Sequence, residues 1–300
     1  MKIIFVFIDG FGLGTEDKQR NPLYSANVPN YFRMIQQYRV IPTDATLGVE
    51  GLPQSATGQT TILTGKNASK ILGKHLHGQP TETLKRIIDQ YSLFKVLLQK
   101  GIKVTNANVY RDHYLKAIKD PAERGIRPSA STVACLVAGI PLRTVEDLKQ
   151  GNGIYHDITN NTLIESGYDV PQIKPRDAAK ILYKISRNYD FTFFEYFLTD
   201  LAGHSRVREK SEEVLEILDE FIGELDKLID YTNTLLIITS DHGNIEDLSV
   251  KTHTLNKVPT IVHGKYEEVF AEGIRSLTDI YPAVIKVLEQ DMLELKNSKG

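Results

Sequence analysis

Residues Lys2-Ile3-Ile4-Phe5-Val6-Phe7-Ile8 and Thr234-Leu235-Leu236-Ile237-Ile238-Thr239 are apolar at nearly every position, with no alternation between a core side and a solvent side. A strand of this kind has to be buried on both faces, which restricts it to a sheet with helices packed above and below. Further strands are expected at 102–108, 191–198 and 258–263, separated by amphipathic stretches. Within 209–231, Val214, Leu215, Leu218, Phe221, Ile222, Leu225 and Leu228 recur at helical spacing with charge on the opposite side. Residues 279–290 read as a closing helix. Strands and helices in this alternation give an α/β fold, a mainly parallel sheet sandwiched by helices.

The chemistry-bearing residues stand where these runs end. Asp9 follows 2–8, Asp200 and His204 follow 191–198, Ser240-Asp241-His242-Gly243-Asn244 begins at the end of 234–239, and His253 lies shortly beyond. Open α/β sheets collect ligands outside the carboxyl ends of their strands, so these side chains are expected at one edge. The four-residue step from Asp200 to His204 brings both to one side of a helical turn. Carboxylates mixed with imidazoles suit zinc, manganese or iron better than calcium.

Ser55-Ala56-Thr57-Gly58-Gln59-Thr60-Thr61 follows the turn-rich Gly51-Leu52-Pro53 and opens an apparent helix. Free amides and the helix dipole at such a start favour an incoming phosphate, and a neighbouring divalent cation would stabilise the serine alkoxide, which marks Ser55 as the nucleophile. A lone serine there is ordinarily a cap, and a lone strand-end aspartate a turn former. The weight lies in the set: Asp9, Asp200, His204, Asp241, His242 and His253 occupy matching topological places.

Three hundred residues suffice for one large α/β domain with a smaller insertion. Between 71 and 175 strands become scarce, and turn-forming pieces such as Lys119-Asp120-Pro121 and Gln150-Gly151-Asn152-Gly153 break the chain. That stretch is expected to form a cap over a core built from 1–70 and 176–300, although its piece 92–109 is also compatible with the main sheet. The balance of 36 basic and 38 acidic side chains gives no electrostatic reason for a nucleic-acid or membrane partner. Cys135 is the sole cysteine, which points to the cytoplasm; the opening apolar run stops at Asp9-Gly10 without a signal-peptide cleavage pattern.

At Phe7-Ile8-Asp9-Gly10-Phe11-Gly12, Gly51-Leu52-Pro53-Gln54-Ser55-Ala56-Thr57-Gly58, Asp200-Leu201-Ala202-Gly203-His204, Thr239-Ser240-Asp241-His242-Gly243-Asn244 and Thr252-His253-Thr254, the chain resembles the alkaline phosphatase superfamily of two-metal enzymes. Within it the likeness is to the cofactor-independent phosphoglycerate mutase and phosphopentomutase branch. The resemblance implies one divalent ion, manganese or zinc, on Asp200, His204 and His253, and a second on Asp9, Asp241 and His242. It also implies that Ser55 touches the second ion and carries the phosphoryl group of a small phosphorylated substrate.

The chain departs from the mutase pattern, reading Gln54-Ser55-Ala56-Thr57-Gly58-Gln59 where the mutase has a histidine at the final place, and it lacks the mutase's arginine motif. Arg111 and Arg127 are candidates to grip a phosphate, and Gln59 and Asn244 to hydrogen-bond it. His75-Leu76-His77 is a weaker candidate for the cleft. Phosphatase and phosphomutase chemistry both stay open. Phosphodiester or phosphonate cleavage on the same scaffold, and a non-catalytic metal-binding module, are the competing functions.

Overall fold

The protein is described by a computed structural model covering residues 1–118, 120 and 126–297. Six strands form one sheet: β1 (Lys2–Ile8), β2 (Arg39–Thr43), β3 (Val104–Asn106), β4 (Phe191–Tyr196), β5 (Thr234–Ser240) and β6 (Val258–Gly264). Their order is β2-β6-β5-β1-β4-β3. The block β5-β1-β4-β3 is parallel, whereas β6 runs antiparallel to both β5 and β2.

The central strand β1 shows why its sequence lacks alternation. Ile3, Phe5 and Phe7 join Phe191, Phe193, Leu235 and Ile237 in the core on one face. Ile4, Val6 and Ile8 join Phe194, Tyr196, Leu236 and Ile238 in the core on the other. Period two still operates, but both faces are dry. At roughly 1.5–3 kcal/mol for each large apolar side chain fully buried, a polar residue at any of these positions would be strongly disfavoured. The first core is closed by helices including Leu93–Gln99, Ala130–Ala138 and Ile280–Asn297, and the second by Pro175–Ser186 and Arg208–Leu228.

Strand β2 has no counterpart among the sequence expectations. Its Pro42 and its partly exposed pattern suit an edge strand, which gives no continuous apolar signal. The strand expected at 102–108 is shorter in the structure and pairs with β4 from Val104↔Phe191 to Asn106↔Phe193. Through β3 and the helices Leu93–Gln99 and Ala130–Ala138, part of 71–175 therefore belongs to the sheet and its principal core. A separate small cluster of Val109, Val145, Leu148, Tyr155, Leu163 and Val170 stands apart from it. Lys119 and Pro121 of the expected turn, and Arg124, a further guanidinium candidate close to Arg127 in the sequence, lie outside the described residues. Among the described residues no helix is long and apolar enough to cross a membrane.

Candidate metal centre

The parallel strands end at a common edge, and β6 begins there because it is reversed. His253, which precedes β6, thus arrives at the edge where Asp9 leaves β1 and Asp241 and His242 leave β5. From β4 the chain passes through Phe197 into the helix Leu198–Ser205, which carries Asp200 in its first turn and His204 in its last. Asp200 Oδ2 lies 3.5 Å from His204 Nε2, the meeting expected four residues apart on a helix. Behind Asp9, Gly10 has φ +70°, and a Cβ on it would stand 2.8 Å from the Asp200 Cβ. Backbone shape and lack of space both call for glycine there.

The imidazoles are oriented from behind. His253 Nδ1 lies 2.7 Å from the Pro53 carbonyl and His242 Nδ1 3.3 Å from that of Gly243. A proton placed on Nδ1 by these carbonyls leaves each Nε2 lone pair facing inward, the tautomer a metal ligand needs. His253 Nε2 is 3.1 Å from His204 Nε2 and 3.4 Å from Asp200 Oδ1. His242 Nε2 is 3.2 Å from Asp9 Oδ1 and 3.7 Å from Asp241 Oδ2. Two overlapping groups, Asp200–His204–His253 and Asp9–Asp200–His242, have their ligand atoms within 4.8 Å of one another, and Asp200 belongs to both.

The electrostatics fit a cation. Asp9 Oδ1 and Asp241 Oδ2 are buried with no hydrogen-bond partner among the described residues. Burial, reinforced by the charge of Asp9, pushes the Asp241 carboxyl well above the ordinary carboxylate range. His242 is also fully buried, which opposes its charge, yet Asp241 and Asp9 raise its pKa to about 10. For Asp200 burial again opposes ionisation, but the His253 hydrogen bond and the charge of His242 bring it to about 2. Carboxylates gathered around imidazoles in a dry place demand compensating positive charge, and a divalent ion with these oxygen and nitrogen donors supplies it.

Ser55 opens the helix Ser55–Thr64, whose preceding residue Gln54 gives no side-chain cap, so the first amides of that turn are not capped by a side chain. Its Oγ lies 3.0 Å from His242 Nε2. The helix sits unusually close to the strand end: a Cβ on Gly58 would stand 2.9 Å from both the Cβ and the carbonyl oxygen of Asp241. Gln59 donates from Nε2 to Asp9 Oδ2 at 3.0 Å, and Asn244 donates to Asp200 Oδ1 at 2.7 Å. Both amides thus hold a candidate ligand carboxylate in place.

Asp9, Ser55, Gln59 and Asp200 line a cavity of about 390 Å³ that Arg111 and Arg127 line as well. His77 also lines it, whereas His75 is tied to Ser69 and to the carbonyl of Val49. Glu195, Glu246 and His156 were not foreseen. Glu195 is buried in the cavity wall, where burial, partly offset by the Ser131 hydroxyl, raises its pKa to about 7. Its signal in the sequence is a lone carboxylate inside the apolar run Phe191-Thr192-Phe193-Phe194-Glu195-Tyr196. Glu246 accepts from Gly12 N at 2.9 Å, Asn244 N at 2.7 Å and Asn256 Nδ2 at 3.0 Å, bracing together the loops that follow Asp9, His242 and His253. Nothing in the sequence around His156 sets it apart.

The model of the Metalloenzyme superfamily matches residues 1–292. The chain belongs to that superfamily. A 2,3-bisphosphoglycerate-independent phosphoglycerate mutase of Pyrococcus abyssi is 24% identical over 248 residues, which are 75% of this chain and 58% of the relative. A protein of the same name from Ehrlichia ruminantium (strain Gardel) is 30% identical over 131 residues, 40% of this chain and 26% of the relative. The chain therefore spans only part of the length of these relatives. In fold it is similar to the PH0037 protein from Pyrococcus horikoshii, with TM-score 0.61, 16% identity and 96% of each chain covered. It is also similar to the alkaline phosphatase of the Antarctic bacterium TAB5, with TM-score 0.55, 14% identity and coverage of 96% of this chain and 98% of the other. The alkaline phosphatase-like fold expected from the motifs is the fold observed.

Proposed function

We propose that this superfamily member is a metal-dependent phosphoryl-transfer enzyme, a phosphatase or a phosphomutase, acting on a small phosphorylated metabolite through a Ser55 phosphoenzyme. The observation that carries it is Ser55 Oγ beside His242 Nε2 at 3.0 Å, at the start of a helix without a side-chain cap and in one cavity with Asp9 and Asp200. In this proposal Asp200, His204 and His253 hold one divalent ion, manganese or zinc, and Asp9, Asp241 and His242 hold a second. When bound, such ions neutralise phosphoryl oxygens and stabilise a leaving oxygen.

The protein's own groups position the rest. Amides of the first helical turn face the incoming phosphoryl group, and Arg111 and Arg127 offer guanidinium donors from the cavity lining. Ser55 Oγ attacks phosphorus, a Ser55 O–P bond forms as the bond to the ester oxygen breaks, and the serine proton ends on the departing alcohol. Transfer of the phosphoryl group to water completes a hydrolase, and transfer to another hydroxyl of the same substrate completes a mutase. Val109 and Tyr155 belong to the small separate cluster and also line the cavity, which supports a capping role for that part of 71–175. The lone, buried Cys135 suits a cytoplasmic setting.

The test is to load the protein with manganese or zinc, quench turnover of phosphorylated sugars and glycerates, and map phosphate on the chain by mass spectrometry while following free phosphate and isomerised product. Phosphate on Ser55 is the expected result, and the product ratio separates hydrolase from mutase. Sustained turnover with Ser55 never modified would refute the proposal.

A further inference from the structure

One ring in the cavity wall has no part in the chemistry above. His156 lies 4.2 Å from Phe197 with 28° between the ring planes, and 4.1 Å from Tyr155. Phe197 joins β4 to the helix of Asp200, so the imidazole rests on the segment that places a proposed ligand. Its Nδ1 is buried with no hydrogen-bond partner among the described residues. An N–H sealed there would carry the full desolvation cost of an unmet donor. The ring proton therefore belongs on Nε2, the nitrogen left for the cavity that His156 lines. Burial, helped by Arg111 and opposed by Asp157, lowers the pKa to about 4, so the ring is neutral near pH 7.

The loop that carries the ring is held in one shape. Asp157 accepts from Asn160 N at 2.8 Å and from Thr162 N at 2.6 Å, so its carboxylate is engaged by its own loop. Ile158 has φ +67° and is fully buried in the core against Pro175–Ser186 and Arg208–Leu228. A β-branched residue adopts that backbone only where its surroundings over-determine it. Imidazole and loop are thus fixed before any substrate arrives.

We propose that His156 is a specificity residue of this site, presenting Nε2–H to an oxygen on the organic portion of the substrate, which is accordingly a phosphate monoester rich in hydroxyl or carbonyl oxygens. This rests on the phosphoryl-transfer function proposed above. The cavity of about 390 Å³ leaves room for such a body beyond the phosphoryl group. A fixed donor that loses its acceptor is left unpaired and penalises an ester lacking that oxygen, whereas an apolar wall would tolerate both kinds.

The experiment compares glucose 6-phosphate with phenyl phosphate in metal-loaded wild type and His156→Phe, which keeps an aromatic ring and removes the N–H. The ratio of kcat/KM for glucose 6-phosphate to that for phenyl phosphate should fall at least about tenfold, mostly through KM. An unchanged ratio, or equal loss on both esters, would overturn the proposal. A second readout needs no turnover: imidazole 15N–1H spectra should show His156 neutral with its proton on Nε2, shifting with glucose 6-phosphate and not with inorganic phosphate. If inorganic phosphate binds and glucose 6-phosphate leaves His156 unmoved, the specificity role is lost and phosphoryl transfer stands. If His156 shifts with the sugar ester while no ester is turned over, phosphoryl transfer is lost and the recognition role stands.

Discussion

The two proposed halves of the centre both mix carboxylates with imidazoles at the same sheet edge, yet the most exposed side chains fall in one and the most deeply buried in the other. On the outer side, the His204 and Asp200 side chains are 35% and 17% exposed. On the inner side, His242 and Asp241 are both at 0%. Water can soften the charges of Asp200 and His204, but it cannot reach Asp241 and His242, whose balance has to come from within. The same donor types, in opposite proportion, therefore hold unlike roles: Asp241 and His242 sit where an uncompensated charge is costly, and His242 is the residue beside Ser55.

Several substitutions would break or sharpen that contrast. Ser55→Ala should reduce turnover by at least about 10³-fold, with metal content retained on elemental analysis, since the serine is one donor among several. Metal lost together with activity would make Ser55 part of the inner cradle instead. Asp241→Asn removes a buried charge from the inner half and should weaken one ion by more than the roughly 10–100-fold typical of changes one shell further out. His204→Gln should weaken the other ion and leave the melting temperature closer to wild type, because its place is already solvated. Equal thermal losses in the two variants would erase the distinction.

Glu195 gives a pH test on the dry side. Its folded pKa of about 7 lies above its ordinary value of 4.5, so in chelator-stripped protein its contribution is complete below about pH 4.5 and is lost as pH rises through about 7. Glu195→Gln should remove a fall on the order of 2 kcal/mol between pH 5 and pH 8, read from denaturant midpoints. A pH profile identical to wild type would show that the carboxyl does not titrate there. Smallest is Gly58→Ala. Helix propensity favours alanine by about 1 kcal/mol, whereas crowding in a packed interior costs about 1–3 kcal/mol. With Asp241 2.9 Å away, crowding should prevail, lowering the melting temperature by a few degrees. A stabilised variant would mean that the helix and the inner strand end can separate.

The framework was legible because its signals are local. A run such as Phe5-Val6-Phe7-Ile8 can only be a doubly covered strand, and an aspartate at its end can only lie at the edge. Arg39–Thr43 was not legible, since an edge strand with a proline carries no such run. The sequence also could not show that Asp200 falls in both ligand groups, because that depends on a helix crossing the edge. His156 was invisible for a related reason: its environment is assembled from Phe197 and Arg111, neither of which its own neighbours announce.

The place of β1 in the sheet has a consequence for how the molecule comes into being. This strand lies between β4 and β5, pairing Ile3 with Phe191 on one side and with Leu235 on the other. A growing chain must therefore keep seven almost wholly apolar residues unpaired until β4 and β5 have emerged, and contacts of such sequence separation form slowly and expose the chain to aggregation. Asp9 meets Asp241 and His242 only when that wait ends. Binding of an ion at this edge would then depend on strands far apart in sequence having already paired.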